Sequence, residues 1–151
     1  MLTQLIYISA PVPEYSAEIN SALEQKQLKN KSRGINGMML SHTNFYLQII
    51  EGDRKVVNSL YHEIVCDIRH TDITLVRYQD INRLQFNDWL YAVLDKNLDA
   101  GFYQHINDLI DIDSDFIHTL TSTAAMCILR RAAVIVSVKL NQSLQGLTIK
   151  L

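Results

Sequence analysis

Phe45-Tyr46-Leu47-Gln48-Ile49-Ile50-Glu51-Gly52-Asp53 is the stretch that decides the fold. Its first six residues read as a strand, and Gly52-Asp53 ends that strand and opens a helix, with Asp53 as N-cap. Successive side chains on a strand point to opposite faces. Tyr46, Gln48 and Ile50 therefore share one face, and Phe45, Leu47 and Ile49 share the other. Gln48 is the anomaly. A buried amide without a partner costs about 1–3 kcal/mol, so Gln48 needs partners on the face it points to. Residues 35–41 supply the other arm of a hairpin, turned around Ser41–Asn44.

Working outward, residues 3–9 read as a strand apolar on both faces and hence central in a sheet. Leu5, Tyr7 and Ser9 share a face, opposed by Ile6 and Ile8, and Pro11 and Pro13 break the run. The pattern predicts a helix over 15–31, with Ile19, Ala22 and Leu23 on one face and Gly34 as its stop. After Asp53, Val57, Leu60, Tyr61 and Ile64 make the core stripe of a second helix. Thr71–Gln79 and Asp88–Leu94 read as further strands, and residues from about 100 onward as helical, ending in an apolar helix near Ser122–Val138. A β-α-β-β-α-β order puts both helices on one sheet face. The bare face must then be covered, and the C-terminal helix is the candidate. The expected fold is α+β: a ferredoxin-like β-α-β-β-α-β(β) sheet with C-terminal helices on the far face.

Two helix positions repeat the Gln48 anomaly. Asn30 continues the stripe of Ile19 and Leu23, and Asp67 continues that of Leu60 and Ile64. Polar residues at frayed helix ends are the plain alternative. Taken with Tyr7 and Gln48, they suggest an apolar-walled cleft with a few convergent polar groups, the usual form of a small-molecule site.

The chain has 151 residues, 48% of them hydrophobic and 20% charged, which suits one globular domain. A net charge of −2 argues against a dedicated nucleic-acid binder. No signal peptide or membrane span is evident, so a cytoplasmic protein is expected. Cys66 and Cys127 fall in apolar helical patterns and are expected to be buried thiols. His42, His62, His105 and His118 have no metal spacing, and Arg130-Arg131 reads as a solvated edge. His70 reads as a solvated helix end. The acidic run 108–115 lacks the glycine and glutamate of a calcium loop and is expected to cap the next helix.

The segment from Asn30 through Gly34-Ile35-Asn36-Gly37 to Leu40, followed by Phe45–Gly52, resembles the core of BLUF domains, blue-light sensors that use FAD. Tyr7 with Ser9, Leu60-Tyr61, Asp67-x-Arg69-His70 and Phe86-x-x-Trp89 extend the resemblance over roughly residues 3–93. It implies FAD as a non-covalent cofactor, Tyr7 as electron and proton donor, and Gln48 as the switch between Tyr7 and the flavin. It implies Asn30 on the ring edge, Asp67 on the far edge or ribityl region, Ile64 and Ala22 flanking the ring, and Trp89 as a mobile tryptophan. Lys29, Arg69 and His70 join the implied cofactor contacts, and Tyr91 joins the photoactive set. Light would drive charge from Tyr7, a proton would pass through Gln48, and the amide would return in another orientation or tautomer.

Departures from the family pattern are Lys29 for a second Asn, Glu63 for a basic residue near the phosphates, Asn36 for Thr, Tyr91 for Met and Ala22 for Ile. Glu63 would repel phosphate and Lys29 attract it. The expected whole is a short, stand-alone, bacterial-type photoreceptor, not an enzyme, with residues 1–95 as the flavin domain and 96–151 as its helical cap. Output would pass to a separate protein, such as a transcriptional or motility regulator, or through a homo-oligomer, without direct nucleic-acid binding. A flavin-free interaction module is the rival. An acylphosphatase-type enzyme is disfavoured, because no Arg–Asn pair stands in the required loop.

Overall fold

In the computed structural model, residues 1–109, 111 and 118–149 are described, those from 145 onward by backbone alone. Five strands, β1 (Leu2–Pro11), β2 (Asn36–Ser41), β3 (Tyr46–Asp53), β4 (His70–Ile81) and β5 (Trp89–Val93), form one sheet in the order β4-β1-β3-β2-β5. The helices are α1 (Ser16–Ser21), α2 (Leu23–Ser32), α3 (Arg54–Val65), α4 (Ala100–Asn107) and α5 (Ser122–Ile149). Each β-α-β unit leaves room for one strand between its two parallel strands. β3 fills the first gap and β1 the second, both antiparallel to their neighbours, while β5 adds parallel to β2. This is the mixed ferredoxin-like sheet that the alternation of strands and helices predicts.

The face arithmetic holds. Leu5, Tyr7, Tyr46 and Ile50 pack with Ile19 and Leu23 of α1 and α2 and with Val57 and Leu60 of α3. On the other face Ile6, Ile8, Leu47 and Ile49 pack against Ala125, Met126, Ile128, Leu129 and Ala132 of α5. The C-terminal helix is therefore the second cover of the sheet.

Several expectations are corrected. The helix over 15–31 is broken. After a 3₁₀ turn at Pro13–Tyr15, α1 ends at Ser21, and Ala22 (φ −90°, ψ −1°) joins it to α2. The Ala22 N–H is shared between the carbonyls of Glu18 and Ile19, a tightened last turn. Cys66 and Cys127 are exposed rather than buried. Cys66 is the C-cap of α3, beyond its buried stripe, and Cys127 lies on the outer side of α5 between residues that face the sheet. His70 is buried and begins β4, so it is no solvated helix end. α5 is capped by the Thr121 hydroxyl, which accepts from the Ala124 N–H, rather than by the acidic run, much of which lies outside the described residues. Asp53 caps α3 as expected, accepting from the Lys55 N–H.

Candidate functional site

Tyr7 of β1 and Gln48 of β3 stand directly opposite each other in the antiparallel ladder. Both are buried, and the Tyr7 hydroxyl donates to Gln48 Oε1 at 2.6 Å. That is the short end of the O–H···O range. Across β3, Gln48 is opposite Met39 of β2, and Met39 is opposite Tyr91 of β5, so one row crosses four strands. On the next row but one, Trp89 is opposite Gly37, and its indole is fully buried.

Asn30 reaches this face because of how α2 ends. Gly34 takes the left-handed conformation (φ +70°) just past the C-cap Arg33. The Ile35 N–H then bonds the Asn30 carbonyl at 2.9 Å and the Gly34 N–H bonds the Lys31 carbonyl at 3.0 Å. These are the two bonds of a Schellman ending. It fixes the last turn of α2 with the Asn30 side chain inward and 5% exposed. Asp67 lies in the turn after α3, not on the helix. Its carboxylate accepts from the Arg69 N–H at 3.0 Å and pairs with the Arg69 guanidinium at 2.7 Å. That turn delivers His70 into the sheet, where Nδ1 lies 2.9 Å from the Ser9 hydroxyl.

The electrostatics follow from burial and this one ion pair. The Arg69 guanidinium, bonded to it, holds the Asp67 carboxyl down at about 2. Burial lowers His70 to about 4, helped by nearby Lys26, so the ring is neutral at neutral pH. Burial also lowers the Lys26 ammonium, with Arg69 adding to the shift and Asp67 opposing it. The Tyr7 phenol is pushed well above its ordinary range, first by burial and then by the Asp67 charge. Tyr7 is thus a firmly neutral proton donor with its acceptor already in place.

One cleft gathers Tyr7, Lys29, Asn30, Gln48, Ile64, Asp67, Arg69, His70 and Trp89, nine of the residues singled out from sequence. Ala22 and Tyr91 are outside its lining. Ala22 is at the α1–α2 junction, and Tyr91 packs with its ring 6.1 Å from that of Trp89. Lys26 and Met39 line the cleft and were missed. The signal was present: Lys26 is one helical turn before Asn30, and Met39 alternates onto the Gln48 face. The departures Lys29 and Glu63 meet across the mouth at 3.5 Å, and Arg33 pairs with Glu63 at 2.9 Å. Neither is left simply to attract or repel an anion.

The cleft encloses about 130 Å³, less than the roughly 300–1,000 Å³ of common ligand pockets. A ring-sized ligand therefore needs the long side chains at the mouth to give way. Within it, the Trp89 indole N–H is buried without a hydrogen-bond partner. Neither the Asn30 side-chain amide nor Gln48 Nε2 finds a protein acceptor among the described residues. The fully buried Trp89 indole N–H costs about 1–3 kcal/mol if left unmade, while the two amides are open to the cleft. Together they suit the edge of a flat ligand that carries several acceptors. Among the described residues no group of three His, Cys, Asp or Glu could hold a metal, and no helix is long and apolar enough to cross a membrane.

The solved structures similar to this chain include BlsA in its ground state (TM-score 0.69, 21% identity, 89% of each chain). They also include BlrB, a BLUF protein, in its dark state (TM-score 0.65, 23% identity, 87% of this chain and 93% of that one). These likenesses show the fold. A curated relative, photoactivated adenylate cyclase subunit beta of Euglena gracilis, is 29% identical over 103 residues, 67% of this chain but 12% of that protein. The chain thus spans only about an eighth of that protein's length, and the class that the fold defines is the mixed α+β domain of these solved structures. A family model described as BLUF, sensors of blue-light using FAD, matches residues 2–92. The chain belongs to the BLUF family.

Proposed function

We propose that this protein is a blue-light receptor that binds FAD non-covalently in the Tyr7–Gln48 cleft and signals through the hydrogen bonds of Gln48. The observation that carries the proposal is the Tyr7-to-Gln48 bond of 2.6 Å inside a cleft whose other amide and indole donors lack protein partners. An isoalloxazine edge offers carbonyl and ring-nitrogen acceptors, which is what these donors require. Asn30, Gln48 and Trp89 would hold that edge, with Ile64 against the ring. Asp67, fixed by Arg69, would hold the far edge or the ribityl chain. Lys29, Arg69 and His70 complete the set, and Ala22 and Tyr91 belong to the surrounding shell. When bound, FAD supplies blue-light absorption and an electron acceptor.

The protein's own part is proton handling. Tyr7 is neutral in the dark and holds its proton toward Gln48 Oε1. Oxidation of a phenol makes it a strong acid, so loss of an electron from Tyr7 would release that proton to Gln48 Oε1 while Gln48 Nε2 gives up a proton toward the bound ring, and return of the electron and of a proton would leave Tyr7 neutral again. The Gln48 amide, relieved of its dark-state bond, would settle in a second orientation or tautomer. It then presents a different donor to the cleft. This change is held in hydrogen bonds alone, so no cysteine adduct is needed.

Residues 1–95 would form the sensor and 96–151 its helical cap, in a cytoplasmic protein that acts on a separate partner or on its own copies. The test is cofactor loading. Protein purified or reconstituted with FAD should be yellow and release intact FAD on denaturation. Protein that stays colourless in excess FAD would contradict the proposal and favour a flavin-free interaction module, with the Lys29 and Arg33 pairs to Glu63 as permanent closures.

A further inference from the structure

We propose that the groove between the β4–β5 loop and the outer side of α5 docks an acidic amphipathic helix of a partner protein. The proposal deepens the receptor reading and rests on it for its link to light. The groove encloses about 950 Å³ between residues 83–90 and 130–144. Phe86, Leu90 and Ala133 line it, and Leu84, Val134 and Val138 stand exposed on it at 39%, 61% and 49%. α5 has two apolar stripes. Ala125, Ile128, Leu129 and Ala132 face the sheet, whereas Val134, Val138 and Leu140 face this groove. Helices that bury such grooves do so with apolar residues at i, i+3, i+4 and i+7.

Charge selects the occupant. From Ser122 to Ile149 the chain carries Arg130, Arg131 and Lys139 and no acidic residue. At the groove, Arg83 meets no carboxylate among the described residues, and Arg130 bonds only the neutral Gln85 side-chain carbonyl. Asp88, the acid of the lining, is taken up by Lys31 at 3.1 Å. The groove is therefore cationic in a chain of net charge −2. A second copy offering its own α5 brings no carboxylate to these arginines. A helix with a leucine stripe flanked by glutamates satisfies both the apolar floor and the arginine rim.

The groove is tied to the cleft by two covalent neighbours. Asp88 and Leu90 line the groove, while Trp89 between them lines the cleft. Glu51, three residues beyond Gln48 on β3, accepts from the Gln85 and Phe86 N–H groups at 2.7 and 3.2 Å. A rearrangement at Gln48 is thus one strand segment away from the groove wall.

The test uses the full chain loaded with FAD and an end-capped, fluorescein-labelled synthetic helix with Leu at i, i+3, i+4 and i+7 and Glu on its flanks. A matched peptide has Lys in place of Glu. Anisotropy should show the Glu peptide binding near about 10 μM, weakening with salt, and the Lys peptide at least about tenfold weaker. Arg83→Glu with Arg130→Glu, and separately Val138→Asp or Val134→Asp, should each weaken the Glu peptide about tenfold or more. These side chains are exposed, so the fold should survive, and circular dichroism verifies it. Equal binding of both peptides, indifference to these substitutions, or no binding below about 1 mM would overturn the proposal. So would a dimer, seen by sedimentation, that Val138→Asp dissociates, since the occupant would then be a second copy. Light-induced absorption changes are recorded on the same samples. A normal change without peptide binding sinks the groove alone. Selective peptide binding without any change supports the groove and sinks the receptor reading.

Discussion

Glu51 is fully buried, and its carboxyl group accepts from Gln4 Nε2 at 2.6 Å and from the Gln85 and Phe86 N–H groups. Glu51→Ala strands two buried donors, Gln4 Nε2 and the Phe86 N–H, and the half-buried Gln85 N–H. We predict a loss of at least about 3 kcal/mol in stability, read as a lower urea midpoint at constant slope, with Glu51→Gln intermediate. An unchanged midpoint would mean that water reaches these donors. His70 gives the pH dependence. Its folded value of about 4 is below the ordinary 6.5, so the unfolded chain takes up the proton first as pH falls. Stability should decline from about pH 6.5 downward and level off for this group below about pH 4, by up to about 3 kcal/mol. The Asp67–Arg69 pair acts lower, its contribution present above 3.8 and lost as pH falls toward about 2. Urea titrations at several pH values check this, and His70→Gln should flatten the upper part of the slope. A slope unaffected by that change would assign it elsewhere.

At the scale of elements, the strands were legible because both faces of β1 and β3 are built from alternating apolar side chains. Asp53 and Gly34 announced the ends they make. The α1–α2 break was not legible, because Ile19, Ala22 and Leu23 fit one helical face whether or not the turn at Ala22 tightens. His70 was misjudged for a related reason: Arg69-His70 matches a helix end until the Asp67 turn carries the chain into β4. Four residues of the cleft, Tyr7, Asn30, Gln48 and Asp67, were legible as polar interruptions of apolar stripes and five more through the family resemblance, whereas Lys26, an ordinary surface residue type, is marked only by its place one helical turn before Asn30. Gly37 tests β2. With φ +149° it is in a region that favours glycine, and an added Cβ would lie 2.0 Å from the Ile49 carbonyl oxygen. Gly37→Ala should destabilise the protein severely, by more than about 3 kcal/mol, and expose Trp89. Normal thermal stability with unchanged tryptophan fluorescence would contradict the β2–β3 register.

Over the whole molecule, the sheet is the connection between a polar cleft on one face and an apolar cover on the other. Trp89 and Tyr91 lie on the cleft's side of the sheet, Trp89 in the cleft lining, and Leu90 packs with the cover. Movement of β5 therefore reaches both. Hydrogen exchange on residues 85–109 and 118–140 should differ between dark and illuminated protein. Identical protection in a protein with a normal spectral response would rule out this route. The presence of a cover was legible from the bare apolar face of the sheet, and the excess apolar residues of the last helix hinted at a partner or self-association surface. The groove was not, because it is made by a loop and a helix more than 40 residues apart.

The central claim is the Tyr7–Gln48 switch, and the most direct measurement is the light-minus-dark absorption spectrum of the FAD-loaded protein and its Tyr7→Phe and Gln48→Ala variants. The account predicts a small red shift of the flavin band that reverses in the dark. Both variants should bind FAD and show no shift. A normal red shift in Gln48→Ala, or FAD-loaded wild-type protein without any shift, would contradict it.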